Sequence, residues 1–138
     1  MPSVYFAASI SGGREEASTY LELATWLSER AIVLTEHVAD QALGAGGESA
    51  LSDREIHDRD LAWLVQADAV VAEVTVPSLG VGYEVARALQ HGIPVLCLYR
   101  PVPGRRLSAM IAGASGVEVV AYEHLSEAKL AISRFLGQ

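Results

Sequence analysis

The sequence predicts an α/β fold: a doubly wound, five-stranded, mainly parallel sheet with helices on both faces. Three observations predict it. Five short segments are near-continuous apolar runs, the pattern of strands buried on both sides. Amphipathic helical patterns alternate with them along the chain. The length of 138 residues, 51% apolar and 20% charged, fits one domain spanning 1–138 with a single core.

Val4-Tyr5-Phe6-Ala7-Ala8 is the first strand and stops at Ser9-Ile10-Ser11-Gly12-Gly13. Ala17, Tyr20, Leu21, Ala24 and Leu27 then recur at helical intervals and predict one buried helix face. Ala31-Ile32-Val33-Leu34 is a second apolar run, ending at Thr35-Glu36-His37, and the Gly- and Ala-rich stretch 41–52 reads as a mobile loop. Ser52-Asp53-Arg54-Glu55 has the spacing of a capping box and opens a helix that runs to about Gln66. Ala69-Val70-Val71-Ala72-Glu73-Val74 is the most strand-like piece, followed by a loop over 75–80. The next helix turns Val81, Val85, Ala88 and Leu89 inward and stops at His91-Gly92-Ile93-Pro94, with Gly past its end and Pro beyond. Val95-Leu96-Cys97-Leu98-Tyr99 is another buried strand. A Pro/Gly loop with three arginines over 100–106, a short helix over 107–112, a strand over 117–121 and a helix over 124–135 complete the series. The pattern is Rossmann- or flavodoxin-like, and in such sheets ligands bind at the carboxyl ends of the strands.

Composition excludes several functions. Ten basic against seventeen acidic residues give a net charge of −7, the wrong sign for a duplex nucleic-acid binder. A small anionic ligand remains compatible, because the local pocket decides that. The single Cys97 offers no disulfide framework, and no His, Cys or acidic cluster has metal-ligand spacing. No apolar run approaches ~18 residues and no basic leader opens the chain, so neither a membrane span nor a signal peptide is expected. These readings predict a cytoplasmic protein without metal or cofactor, nucleic-acid partner or membrane association. A G-x-S-x-G elbow, a P-loop and a G-x-G-x-x-G fingerprint are all missing.

Three places carry candidate chemistry, and three single residues are weaker candidates. The turn Ser9-Ile10-Ser11-Gly12-Gly13-Arg14 allows close backbone approach at a helix entrance, which suits a phosphate but also an ordinary strand-to-helix turn. Pro77-Ser78-Leu79-Gly80-Val81-Gly82-Tyr83-Glu84 is a second such entrance. Glu84 falls in the first turn or so of its helix, where the dipole favours an ionised carboxylate by roughly 0.3–1 kcal/mol. It also lies on the apolar stripe, three after Val81 and four before Ala88, which favours a task over simple solvation. Asp60 shares an apolar face with Ile56, Trp63 and Leu64, whereas Asp58 and Arg59 read as solvated surface residues. Asp60 and Glu84 together suggest a carboxylate pair, one ionised and one able to hold a proton, as used to cleave glycosidic bonds. Tyr5 could face the cleft or the core, His37 could meet a ligand or be structural, and Glu73 inside a Val-rich strand calls for a partner.

The segments Tyr5-Phe6-Ala7-Ala8-Ser9-Ile10-Ser11-Gly12-Gly13-Arg14-Glu15, Leu34-Thr35-Glu36-His37-Val38, Asp60-Leu61-Ala62-Trp63-Leu64, Val71-Ala72-Glu73-Val74-Thr75, Pro77-Ser78-Leu79-Gly80-Val81-Gly82-Tyr83-Glu84 and Leu107-Ser108-Ala109-Met110-Ile111 occur in that order. Together they resemble the 2′-deoxynucleoside 5′-phosphate N-hydrolases of the nucleoside 2-deoxyribosyltransferase superfamily. The resemblance implies an enzyme that splits a deoxynucleoside monophosphate into free base and 2-deoxyribose 5-phosphate. It implies Glu84 as the nucleophile, Asp60 orienting or protonating the leaving base, and Tyr5 positioning the nucleophile and crowding the place of a ribose 2′-hydroxyl. It assigns Ala8, Ser9, Ile10, Ser11, Gly12, Ser78 and Gly80 to sugar and phosphate and His37 to the vicinity of the base. It also implies a homodimer in which Ser108 reaches the neighbour's phosphate. In two places the chain departs from the vertebrate-type pattern, with Ser11 where an arginine is expected and Ala8 where glycine is expected. Arg14, or an arginine of the 100–106 loop from a partner subunit, would then supply the missing charge. The alternatives are a deoxyribosyltransferase, in which a second base replaces water, and a nucleotide sensor without turnover.

Overall fold

The structure, a computed structural model, describes residues 1–9, 14–35 and 51–138. Its strands are β1 (Ser3–Ala8), β2 (Ile32–Leu34), β3 (Ala69–Glu73), β4 (Val95–Tyr99) and β5 (Val117–Ala121). The helices among the described residues are α1 (Arg14–Ser28), α2 (Asp53–Gln66), α3 (Leu79–Gln90), α4 (Ala109–Ala112) and α5 (Leu125–Phe135). All strand pairs are parallel, in the order β2-β1-β3-β4-β5. The α/β fold with a five-stranded parallel sheet is therefore the one the apolar runs predicted.

Alternation along the strands builds two cores. Val4, Phe6, Ala8, Val71, Leu96 and Leu98 face one way and pack with Tyr20, Leu23, Leu27 of α1 and Ala128, Ile132 of α5. Tyr5, Ala7, Val70, Ala72, Val95 and Cys97 face the other way, against Leu64 of α2 and Val81, Val85, Ala88 of α3. Burial pushes the Cys97 thiol up to about 12, so it behaves as a small apolar side chain. The buried face of α1 differs from expectation in two respects: Ala17 is exposed, and Leu23 is buried in place of Leu21. Leu21 is 45% exposed, because the stripe through Tyr20, Leu23, Ala24 and Leu27 leaves it on the flank.

The helix ends follow their local chemistry. Ser52 Oγ accepts the Glu55 N–H and Glu55 Oε1 accepts the Ser52 N–H, both at 3.1 Å, which is the expected capping box of α2. At the end of α3, Gly92 takes a φ of 69°, a left-handed conformation that lets Ile93 N–H reach Ala88 O and Gly92 N–H reach Leu89 O. Three predicted boundaries shift by one or two residues: α3 starts at Leu79, α4 at Ala109 after its N-cap Ser108, and α5 at Leu125 after His124. The predicted loop 41–52 lies, but for 51 and 52, outside the described residues. No described helix is long and apolar enough to cross a membrane.

Candidate active site

The chain leaves β1 toward β2 on one side and leaves β3 toward β4 on the other, so the sheet order reverses between β1 and β3. Crevices in such sheets open there, beyond the strands' carboxyl ends. Tyr5 lies on β1 opposite Val70 of β3, and its odd-numbered position turns it toward α2 and α3. Its ring is 1% exposed, yet its hydroxyl reaches α3 and donates a hydrogen bond to Glu84 Oε2. Tyr5 is thus a core residue whose polar end meets Glu84.

Glu84 is half-buried. Burial pushes its carboxyl up to about 7; the Tyr5 hydrogen bond opposes this and the charge of Asp60 adds to it. This corrects the expectation that a helix dipole holds Glu84 ionised. Because α3 is capped by Ser78 and starts at Leu79, Glu84 is its sixth residue, beyond the first turn where the dipole acts.

Asp60 is buried on α2, at 7% exposure. Arg59 Nε donates to Asp60 Oδ1 at 3.0 Å, with the guanidinium 4.9 Å from the Trp63 ring centre. Arg59 is thus not the solvated residue its position suggested: its guanidinium lies over Trp63 and pairs with its neighbour.

Ile56, His57, Asp60 and Leu61 of α2 and Gly80, Tyr83 and Glu84 of α3 line one pocket of about 220 Å³. That is smaller than the roughly 300–1,000 Å³ of sites enclosing whole drug-sized ligands. Among the described residues, a methyl placed on Gly80 would find Ser78 Oγ at 3.8 Å, an ordinary van der Waals contact. On the rim, His57 Nδ1 lies 2.9 Å from Asp58 Oδ1 and His57 Nε2 lies 2.8 Å from the Tyr83 hydroxyl, to which Arg87 Nη1 donates at 2.7 Å. Asp58 only accepts and Arg87 only donates, so a neutral His57 carries its hydrogen on Nδ1 and receives Tyr83's proton at Nε2. The sequence reading missed His57, Tyr83, Arg87 and Arg59. The first two come together only when α2 packs on α3, which no local spacing encodes.

The other expected positions divide. Ala8 and Ser9 are buried at the end of β1. Ile10, Ser11, Gly12 and His37 lie outside the described residues. Ser78 caps α3, accepting the Val81 N–H at 3.2 Å. Ser78 and Ser108 line a second cavity of about 590 Å³ with Leu79, Val85, Met110 and Ile111, on a flank of α3 that does not include Glu84. Ser108 therefore does not share a pocket with Glu84 of its own chain. Arg100 is ion-paired with Glu16 of α1, which leaves Arg105 and Arg106 as the exposed cations of its loop. No group of three or more His, Cys, Asp or Glu among the described residues is placed to hold a metal.

Comparison with known proteins gives a consistent picture. Residues 4–122 match the family model described as nucleoside 2-deoxyribosyltransferase. The chain is 60% identical over 114 residues to a Mus musculus protein named 5-hydroxymethyl-dUMP N-hydrolase, covering 82% of this chain and 66% of that protein. A Rattus norvegicus protein of the same name is 58% identical over 114 residues, covering 82% of this chain and 70% of its own length. The match thus spans just under two thirds of the mouse relative. In fold the chain resembles a CMP N-glycosidase of Clostridium botulinum, with a TM-score of 0.67 over 95% of this chain and 98% of that one, at 18% identity.

Proposed function

Because the chain belongs to the nucleoside 2-deoxyribosyltransferase family, we propose that it hydrolyses the N-glycosidic bond of 2′-deoxynucleoside 5′-monophosphates. The products are free base and 2-deoxyribose 5-phosphate. The observation that carries this reading is the contact between the Tyr5 hydroxyl and Glu84, which lines a pocket between α2 and α3 together with Asp60. The names of the mouse and rat relatives support the substrate class.

The chemistry follows from these groups. Glu84, ionised, attacks C1′ of the sugar; the C1′–O bond forms as the C1′–N bond breaks, and the electron pair leaves with the base nitrogen, which takes a proton from solvent. Asp60 faces the departing base and orients it. Water then attacks C1′ and releases a proton to solvent, the C1′–O bond to Glu84 breaks, and the carboxylate is regenerated, so that the proton given up here balances the one taken by the base. A 2-deoxy sugar has no electron-withdrawing 2′-hydroxyl, so positive charge develops on its ring more easily, and an adjacent carboxylate stabilises it. The phosphate supplies remote binding energy that positions the sugar.

The test is a panel of deoxynucleoside monophosphates, with 5-hydroxymethyl-dUMP among them, the matching ribonucleotides and the unphosphorylated deoxynucleosides. Free base from the phosphorylated deoxy compounds alone is the expected result. Base exchange between deoxynucleosides identifies a transferase instead, and binding without product a sensor.

Two predictions arise here. Tyr5→Phe removes the donor that favours the ionised carboxylate. The acid limb of log(kcat/KM), expected near pH 7 because Glu84 must lose its proton to attack, should therefore move to higher pH. The same variant is expected to relax the deoxy-to-ribo preference; an unchanged ratio and an unmoved limb would take both roles from Tyr5. The second concerns assembly. Leu79 is 97% and Met110 83% exposed beside the cavity that holds Ser108, which fits a homodimer that carries Ser108 to the neighbour's phosphate. Sedimentation should give a dimer, and Ser108→Ala should raise KM for the monophosphates severalfold; a fully active monomer contradicts this.

A further inference from the structure

Glu73 is a fully buried carboxylate that the proposed chemistry does not touch. It ends β3, and alternation turns it to the α1/α5 face, away from Tyr5 and Glu84. Its Oε1 accepts the Thr75 N–H at 2.7 Å, and its Oε2 accepts the Thr75 hydroxyl at 2.9 Å and the Tyr122 hydroxyl. Having given its own hydrogen to Glu73, Thr75 Oγ1 accepts the Arg100 N–H at 2.9 Å. The Arg100 guanidinium pairs in turn with Glu16 in the first turn of α1. One carboxylate therefore joins the end of β3, the end of β4 and the residue after β5, and through Arg100 it reaches the start of α1. Desolvation works against this group and raises its pKa despite three donors. An apolar residue would fill the same space without that cost.

The connection to the site runs through α3. Val81, Val85 and Ala88 hold that helix to the sheet by apolar contact, which is non-directional, and the Tyr5–Glu84 hydrogen bond joins it to β1. The segment 74–78 sets how far along its axis α3 sits, and it is tied at Thr75 by Glu73 and at Ser78 by the helix cap. We propose that Glu73 is a positioning residue: with Thr75 and Arg100 it fixes the axial placement of α3, and so the place of Glu84 against Tyr5, from the opposite face of the sheet. The inference rests on the hydrolase reading wherever activity is the readout.

The test compares Glu73→Gln and Thr75→Val with wild type, with Thr75→Ser as the conservative rescue and Ile132→Val as a destabilised control on the same face. Placement errors near 1 Å cost catalysis on the order of 10²-fold. Accordingly kcat is expected to fall about 10- to 100-fold in the first two variants, with KM changed less than about threefold, while Thr75→Ser and Ile132→Val keep wild-type kcat. The Glu84 carboxyl, followed by carbon-13 NMR without substrate, reads placement directly. Burial raises its value and the Tyr5 hydrogen bond lowers it, so displacement of Glu84 should move its midpoint away from about 7 by roughly half a unit or more, downward where exposure dominates and upward where loss of Tyr5 does. A wild type that releases no base, together with a shifted Glu84 midpoint in the variants, removes the hydrolase reading and keeps the positioning role. Folded variants with unchanged kcat and an unchanged midpoint overturn the proposal, as does a kcat loss that Ile132→Val reproduces.

Discussion

Glu84→Gln is expected to release base from a deoxynucleoside monophosphate on the order of 10³- to 10⁵-fold more slowly than wild type, while keeping the fold. The amide has the size of the carboxyl and can still accept from Tyr5, but it cannot add to C1′ or balance positive charge on the sugar ring. The same substitution should stabilise the protein above neutral pH, and the sign follows from linkage. With a folded value near 7 against an ordinary 4.5, native Glu84 holds a proton between those limits that the unfolded chain has lost. Wild-type stability therefore declines as pH rises through that window and levels off above it. Glu84→Gln has no such decline, so its advantage should be small at pH 5 and reach about 1–3 kcal/mol by pH 8. Thermal melts at the two pH values, with single-turnover base release, measure both effects. Near-normal turnover would end the covalent mechanism, and equal melting at pH 8 would mean that Glu84 is not desolvated.

Asp60→Asn carries the second largest expected loss, about 10²- to 10³-fold in kcat with substrates whose bases leave poorly. The loss should be smaller for bases that leave readily, because Asp60 acts on the leaving group and not on the attack. Arg59 would keep its charge beside a neutral amide in a mostly buried place, so a modest fall in stability of about 1–2 kcal/mol is expected as well. The charge of Asp60 helps to raise the Glu84 pKa; its removal should move the acid limb of kcat/KM to lower pH, opposite to Tyr5→Phe. A substrate series in wild type and variant, each over pH 5–9, separates these effects. A uniform loss across all leaving groups would deny Asp60 its assignment to the base.

The fold was legible because its signals are local and mutually consistent. Buried parallel strands need unbroken apolar runs, Ser52 and Glu55 specify a helix start by their spacing, and Gly92 with Pro94 specifies a stop. Asp60 and Glu84 were visible as acids on apolar stripes. The state of Glu84 was misjudged, since Ser78 starts the helix earlier than Val81 and puts the acid past the dipole's reach. Arg59 escaped notice because a long side chain can lie along its own helix, which positional periodicity does not register. The rim made by His57, Tyr83 and Arg87 depends on two helices meeting across 26 residues of sequence between His57 and Tyr83. Glu73 announced itself as a charge in a valine-rich strand, but its partners at Thr75 and Tyr122 exist only once the strand ends are brought together.

The alternation of β1 has an evolutionary corollary. One extra residue in that strand would act like a frameshift in a reading frame: it would send the tyrosine at position 5 into the opposite core and bring Val4 or Phe6 before the carboxylate. Descendants of this chain can lengthen or shorten their connecting segments to suit new bases, but β1 must inherit its count of residues unchanged.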